Sequence, residues 1–368
     1  MPPLSLLIKP ASSACNMRCR YCFYADEAMN RTVYSFGQMS EETLENVLRK
    51  AFAYAEGALH IGFQGGEPTL RGLDFFRTCA RLCRELNQKG LRVSLALQTN
   101  GLLLDEEWAK FLHEERFLVG LSLDGTQALH DRLRPDAAGQ GTFSRVLAAA
   151  ELLRGHRVDF NVLTVVTSYA AKNIGRIYAF FRKNGLLYQQ YIPCLDPLGE
   201  PRGLSEYSLT PPLYARFMKD LFDLWYDDVA HGRFIYVRHL ENLLAAAAGR
   251  PPEHCGMLGR CAMQGVVEAD GSVYPCDFYV LDRYRLGNLN ECDFPELMRA
   301  LQQSGFIEES LLPAEECRRC EWAALCRGGC RRDRDAGDHL ALNYFCPAYR
   351  SFYPYALPKL QALLRRAR

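Results

Sequence analysis

Residues 1 to about 235 alternate short apolar runs with amphipathic stretches, and this alternation leaves few folds open. The runs Leu4–Ile8, His60–Phe63, Val93–Gln98, Leu118–Ser122, Phe160–Val165 and Tyr188–Ile192 read as strands. Helical spacing near 41–56, 73–88, 105–115, 143–155 and 172–184 fills the intervals, and a further helix near 212–229 follows the last strand. Strand–helix alternation implies a parallel sheet with crossover helices, so the expected class is α/β, a partial (β/α)6 barrel. Barrels of this kind build their sites from the loops at the strand C-terminal ends. Here those loops read ASSACNMRCRYC, QGGEP, QTNG, SLDG, VTS and CLDP, so six separated segments point to one mouth.

From about 250 the alternation stops and cysteines dominate: Cys255, Cys261, Cys276, Cys317, Cys320, Cys326, Cys330 and Cys346. Such a region holds little apolar material and needs metal to stay folded. The division expected is 1–235 for the α/β part and 236–368 for the cysteine-rich part, which ends in a helix near 350–367. The chain carries 15 cysteines in 368 residues, and its start shows no secretion leader, so metal or redox chemistry is favoured over disulfides. The apolar stretches fall far short of a membrane span, and the expected location is the cytoplasm. A net charge of +1 gives no reason to expect a nucleic-acid partner. Cys79 and Cys83 read as buried apolar residues of a helix; Cys194 and Cys292 stay unassigned. The arginines Arg318, Arg319, Arg327, Arg331, Arg332 and Arg334 read as a solvated face.

Cys15, Cys19 and Cys22 form C-x3-C-x2-C after the first strand. Three thiolates on one loop can hold three irons of a cubane cluster and leave one iron open, since fully ligated clusters usually take four cysteines. A zinc site is the alternative, but structural zinc normally takes four ligands. Tyr21 and Phe23 flank Cys22 and would limit water access. Gly65-Gly66-Glu67-Pro68, after the second strand, lets backbone approach a ligand closely, with Glu67 able to order the loop.

The triplet together with that glycine loop resembles the radical S-adenosylmethionine (SAM) superfamily. The resemblance implies that S-adenosylmethionine binds the open iron through its amino and carboxylate groups, with Gly65, Gly66 and Glu67 near the amino group. Ser122 in LSLDG matches the ribose-contacting position, Arg134 the carboxylate position and Leu195 the adenine-packing position; Tyr21 is a further cofactor contact. Asp124 reads equally as part of a turn.

The later cysteines resemble the SPASM extension of peptide- and protein-modifying radical enzymes. By that resemblance Cys255, Cys261, Cys276 and Cys330 hold one 4Fe–4S cluster, and Cys317, Cys320, Cys326 and Cys346 a second, three in all. Spacing alone does not decide the pairing, and two zinc sites remain the alternative. The segments NxxCxYCFY, FQGGEPTL, LQTNG, FLVGLSLDG, CLDPL, DGSVYPCDFYVLD and CRGGCRRxRD narrow the resemblance to the anaerobic sulfatase-maturating enzymes. These oxidise a cysteine or serine of a sulfatase to Cα-formylglycine after a 5′-deoxyadenosyl radical removes a Cβ hydrogen. Asp277 matches the family's proposed base, and Tyr24 and Gln64 are candidate contacts to the sulfatase polypeptide. A low-potential donor such as flavodoxin or ferredoxin is implied. Two other readings stay open: a SPASM-type maturase that cross-links a ribosomal peptide, and a non-catalytic zinc-stabilised interaction protein.

Overall fold

A computed structural model of the chain describes residues 3–335 and 340–366. In chain order its strands are β1 (Leu4–Ile8), β2 (Ala58–Phe63), β3 (Arg92–Thr99), β4 (Leu118–Ser122), β5 (Phe160–Val166), β6 (Tyr188–Pro193), β7 (Tyr236–Val237), β8 (Val266–Val267), β9 (Ser272–Tyr274) and β10 (Gly287–Asn288). The six expected strands are present, lengthened by one or two residues at some ends. The chain divides into two compact units, one formed by 1–123, 130–160 and 263–305, the other by 124–129, 161–262 and 306–368.

In the first unit β1 to β4 pair in parallel, with Leu6 opposite Ile61 and Ile61 opposite Leu95. Parallel pairing buries both faces, which is why these strands read as nearly continuous apolar runs. The helices Glu41–Tyr54, Leu73–Leu86, Glu106–Glu114 and Phe143–Gly155 lie between or after these strands in sequence. Ser40 and Asp105 cap two of them by accepting the backbone N–H of Thr43 and Trp108. Cys79 and Cys83 are buried in the second of these helices, as their spacing suggested.

Strand–helix alternation does stop near 250, but the sheet of the first unit does not end there. The segment 263–305 extends the same sheet: β8 pairs in parallel with β1, and β9 and β10 follow as antiparallel neighbours. These strands have only two or three residues, too few for periodicity to mark them. Their burial is firm all the same: Tyr24, Val266, Tyr274 and Val280 form one apolar cluster, with Leu7, Cys22 and Phe23 packed on it.

In the second unit β5, β6 and β7 are parallel. The helix expected at 172–184 is two, Ser168–Lys172 and Ile174–Lys183, broken at Asn173. The helix Pro211–Ala230 begins on proline, whose missing N–H is an orphan there anyway. It packs against Cys346–Arg366, with Lys219 donating to the Ser351 hydroxyl at 2.8 Å and Phe222 edge-on to Phe352. That last helix starts four residues earlier than expected, on Cys346, and its expected end at Ala367 falls outside the described residues. Among the described residues no helix is long and apolar enough to cross a membrane.

Candidate active site

The first cysteine loop leaves β1 at Ile8 and runs into the helix Phe23–Met29, whose N-cap is Cys22 itself. Backbone N–H groups point at the sulfurs: Met17 donates to Cys15 Sγ and Ala25 to Cys22 Sγ, both at 3.4 Å. The Asn100 amide lies 3.9 Å from Cys15 Sγ. Donors of this kind stabilise metal-bound thiolates. Burial pushes the Cys15 thiol up to about 11, opposed by the Met17 N–H and raised further by the charges of Glu67 and Cys22. A bound metal ion would supply the positive charge that lets such a buried thiol ionise. The donor set therefore fits an iron–sulfur cluster. Among the described residues no group of three or more His, Cys, Asp or Glu converges on a single-ion position.

Three loops at strand ends interlock around these sulfurs. Gly66 and Glu67 donate backbone N–H bonds of 2.8 Å to Ser12 and Ala14 of the cysteine loop. A Cβ on Gly66 would fall 2.0 Å from the Ala14 carbonyl oxygen, and Gly65 holds φ +123°, so both positions demand glycine. The glycine pair thus serves the packing of loop on loop. Glu67 is fully buried. Its carboxylate accepts from the Thr69 and Thr99 hydroxyls at 2.6 and 2.7 Å and from the Asn100 N–H at 2.8 Å. Burial raises its pKa, and these donors work against the rise. Asn100 also donates to Asn16 at 2.7 Å. On the other flank, Arg18 and Arg20 donate backbone bonds to Pro135 and Leu133. The buried Arg134 there donates to the Tyr21 hydroxyl at 2.9 Å. Ser122 ends β4 half-buried in the same unit.

The second half of the site comes from 263–305. Phe278 meets Phe23 edge to face at 5.0 Å, which sets Cys276 and Asp277 beside the cysteine loop. Asp277 is buried and both its oxygens are engaged: Lys9 Nζ donates to Oδ1 at 2.6 Å and Gln64 Nε2 to Oδ2 at 2.7 Å. Lys9 stands 3.7 Å from the centroid of the Tyr24 ring. Tyr24 is itself buried, and its hydroxyl donates to Glu268. Burial, then the charge of Glu268, hold that hydroxyl well above its usual range. Arg31 closes the group with a 2.7 Å bond to Glu268, both side chains fully buried.

Lys9, Arg31 and Glu268 escaped the sequence reading, while Thr99 and Asn100 entered it only as part of the loop QTNG. Lys9 carried a usable signal, since it directly follows a strand. Arg31 and Glu268 carried none, because their burial depends on segments far apart in the chain.

The remaining candidates lie in the second unit. Asp124 accepts the Val165 N–H at 3.0 Å, a long-range bond to β5 and not one within a turn. Leu195 is half-buried and its carbonyl faces the Cys194 thiol at 3.6 Å. Cys255, Cys261 and Cys330 are near enough that the first two raise the Cys330 pKa, although burial is the main cause. Cys317, Cys320, Cys326 and Cys346 likewise act on one another. They line a cavity of about 340 Å³ with Trp322, Tyr349 and Tyr353. The sulfurs there fit a cluster bound by four thiolates.

The expectation of a solvated face holds for Arg318, Arg319 and Arg327, which are exposed, and is corrected for the other three. Arg331, Arg332 and Arg334 are buried. Arg331 donates to the Phe306 carbonyl at 2.7 Å and to Glu309 at 2.7 Å; Arg332 donates to the Asp196 carbonyl and Arg334 to those of Ser310 and Leu312. Short helices leave carbonyls without intrahelical partners, and the guanidinium forks satisfy them.

The chain matches the Radical SAM superfamily over residues 10–180 and SPASM, an iron–sulfur cluster-binding domain, over 255–321. It is 49% identical over 362 residues to the cysteine-type anaerobic sulfatase-maturating enzyme of Clostridium perfringens (strain 13 / Type A), covering 98% of each chain. To the serine-type enzyme of Klebsiella pneumoniae it is 33% identical, covering 99% of this chain and 90% of the relative. The solved structure of native anSMEcpe with bound AdoMet and Cp18Cys peptide aligns with a TM-score of 0.95 at 46% identity, covering 100% of both chains.

Proposed function

The chain belongs to the anaerobic sulfatase-maturating enzymes of the radical SAM superfamily, and from that premise we propose that it oxidises a cysteine of a sulfatase polypeptide to Cα-formylglycine. The observation that carries this reading is Asp277, a buried carboxylate held by two donors beside the loop of Cys15, Cys19 and Cys22. Cysteine is chosen over serine because identity to the cysteine-type relative is 49% against 33% for the serine-type one.

In this reading Cys15, Cys19 and Cys22 hold a 4Fe–4S cluster. Tyr21, Gly65, Gly66, Glu67, Ser122, Arg134 and Leu195 bind S-adenosylmethionine. Cys255, Cys261, Cys276 and Cys330 hold a second cluster, and Cys317, Cys320, Cys326 and Cys346 a third. When bound, the first cluster and S-adenosylmethionine supply the 5′-deoxyadenosyl radical that removes a hydrogen from the substrate Cβ. The chain's own residues do the rest by position and charge. Asp277 takes the proton that the oxidised side chain must release. Gln64 meets the polypeptide, and Tyr24 fixes the floor beneath it. The surplus electron leaves toward the auxiliary region, since Cys276 directly precedes Asp277. Residues 1–235 form the radical-generating part and 236–368 the auxiliary part, with 263–305 folding onto the former. The enzyme works in the cytoplasm with a flavodoxin or ferredoxin as reductant.

The test uses anaerobically reconstituted protein, S-adenosylmethionine and a peptide bearing a sulfatase cysteine, read by mass spectrometry. Wild type converts the cysteine to formylglycine, and Asp277→Asn loses about 10²–10⁴-fold in rate. Full activity in Asp277→Asn removes its role as base. A cross-linked peptide in place of the aldehyde overturns the substrate assignment. Metal analysis giving zinc in place of about twelve irons per chain overturns the cluster assignment.

A further inference from the structure

We propose that Lys9 is the positioning residue of the site: it fixes one oxygen of Asp277 so that the other, Oδ2, receives the substrate proton once the polypeptide displaces Gln64. The proposal rests on the formylglycine reading above and adds a residue and a division of labour to it.

Lys9 is the first residue after β1 and its side chain is fully buried. An isolated ammonium in such a place is costly and persists only where it is paired. Its anionic partner is Asp277 Oδ1 at 2.6 Å. Nothing about the lysine stem is loose. Its backbone N–H donates to the Val267 carbonyl at 2.8 Å, which ties it to the segment carrying Asp277. A Cβ on Gly65 would lie 3.1 Å from Lys9 Cβ, so the glycine loop closes one side. The Tyr24 ring closes another at 3.7 Å, an attractive cation–π arrangement. Glu268 and Arg31 in turn hold that ring by its hydroxyl and charge.

The two oxygens of Asp277 are therefore unlike. Oδ1 is held by a buried cation on a rigid stem. Oδ2 is held by the neutral amide of Gln64, which is half-buried and begins the loop after β2. A neutral hydrogen bond at a half-buried position yields to a substrate far more readily than a buried charged pair. Gln64 is thus a placeholder on the reacting oxygen, and Lys9 is the anchor that stays.

Lys9 then governs only the step after hydrogen abstraction. The carbon-centred radical at the cysteine Cβ gives its S–H proton to Oδ2 and one electron to an oxidised iron–sulfur cluster of the auxiliary region. The Cβ–S bond becomes a double bond. Water adds, hydrogen sulfide leaves, and the aldehyde of formylglycine remains.

The experiment compares wild type with Lys9→Met as reconstituted holoenzymes, counting 5′-deoxyadenosine and formylglycine in the same reaction and measuring peptide affinity by fluorescence anisotropy. Wild type gives the two products in a ratio near one. Lys9→Met, with iron content and peptide affinity retained, still forms 5′-deoxyadenosine, while formylglycine per 5′-deoxyadenosine falls about tenfold or more. A merely structural role would lower both products together, and that outcome overturns the proposal, as does a ratio unchanged from wild type. Should Lys9→Met not retain iron, Lys9→Gln is judged by the same ratio. If wild type itself yields 5′-deoxyadenosine but no formylglycine, the fault lies in the formylglycine reading and not in Lys9.

Discussion

The loops at the ends of β1 to β3 and the cysteine-rich segment 306–346 both gather sulfur, yet they are held together by opposite means. Around Cys15, Cys19 and Cys22 the sulfurs ride on loops tied to a parallel sheet, and buried charges meet buried charges: Lys9 with Asp277, Arg31 with Glu268. Around Cys317, Cys320, Cys326 and Cys346 the helices Glu315–Arg318 and Ala323–Cys326 have four residues each, and buried arginines meet mainly carbonyls. The first region owes its shape to the sheet before any metal arrives. The second has little regular structure of its own, and a metal held by its four thiolates would supply the missing restraint. The lesson is that the same ligand chemistry can be laid on a scaffold or can be the scaffold.

The largest effect that can break this comparison is metal removal. Anaerobic chelation of iron should abolish amide protection across 315–335 while β1 to β4 keep theirs, as read by hydrogen exchange; equal loss in both would end the distinction. Next come the arginines. Arg31→Met leaves Glu268 buried without its cation and should cost about 3–5 kcal/mol in denaturant unfolding. Arg334→Met leaves only carbonyls unsatisfied and should cost about 1–3 kcal/mol. The reverse order would mean that the buried pair does not organise the first region. Gly66→Ala sets a methyl against the Ala14 carbonyl and forces the glycine loop away from the cysteine loop. It should cost about 1–3 kcal/mol and lower iron by about four per chain, leaving the auxiliary absorption in place.

The smallest effect concerns pH. Burial, then the charge of Arg134, lower the His130 pKa from 6.5 to about 2. Below pH 6.5 the unfolded chain binds a proton that the folded chain refuses, so stability falls with pH by about 1.4 kcal/mol per unit. His130→Gln should flatten that slope in the first unit, and an unchanged slope would show that His130 does not contribute to it.

Much of this was legible in the sequence, and the limits have physical causes. The long strands and helices announced themselves because burial on one or both faces imposes a period. Cys15, Cys19 and Cys22 and the glycine loop were legible because few other residue types can do their work. The helix Phe23–Met29 was not, since it starts on a cysteine and runs under two turns. Nor were β8 to β10, too short to show a period, of which β8 is placed by a strand more than 200 residues away. Lys9 and the arginines 331, 332 and 334 mark the sharpest limit. Residue type argues for solvent, and only the fold supplies the carboxylate or carbonyls that bring them inside.

Glu67 bears on how such a protein is born. Its carboxylate is satisfied only when the ends of β2 and β3 already stand together, and its backbone N–H only when the loop after β1 has arrived. A nascent chain that has threaded one or two of these strands presents no finished nest for iron. The loop of Cys15, Cys19 and Cys22 is thus a coincidence detector, finished only when the ends of β1, β2 and β3 have all met.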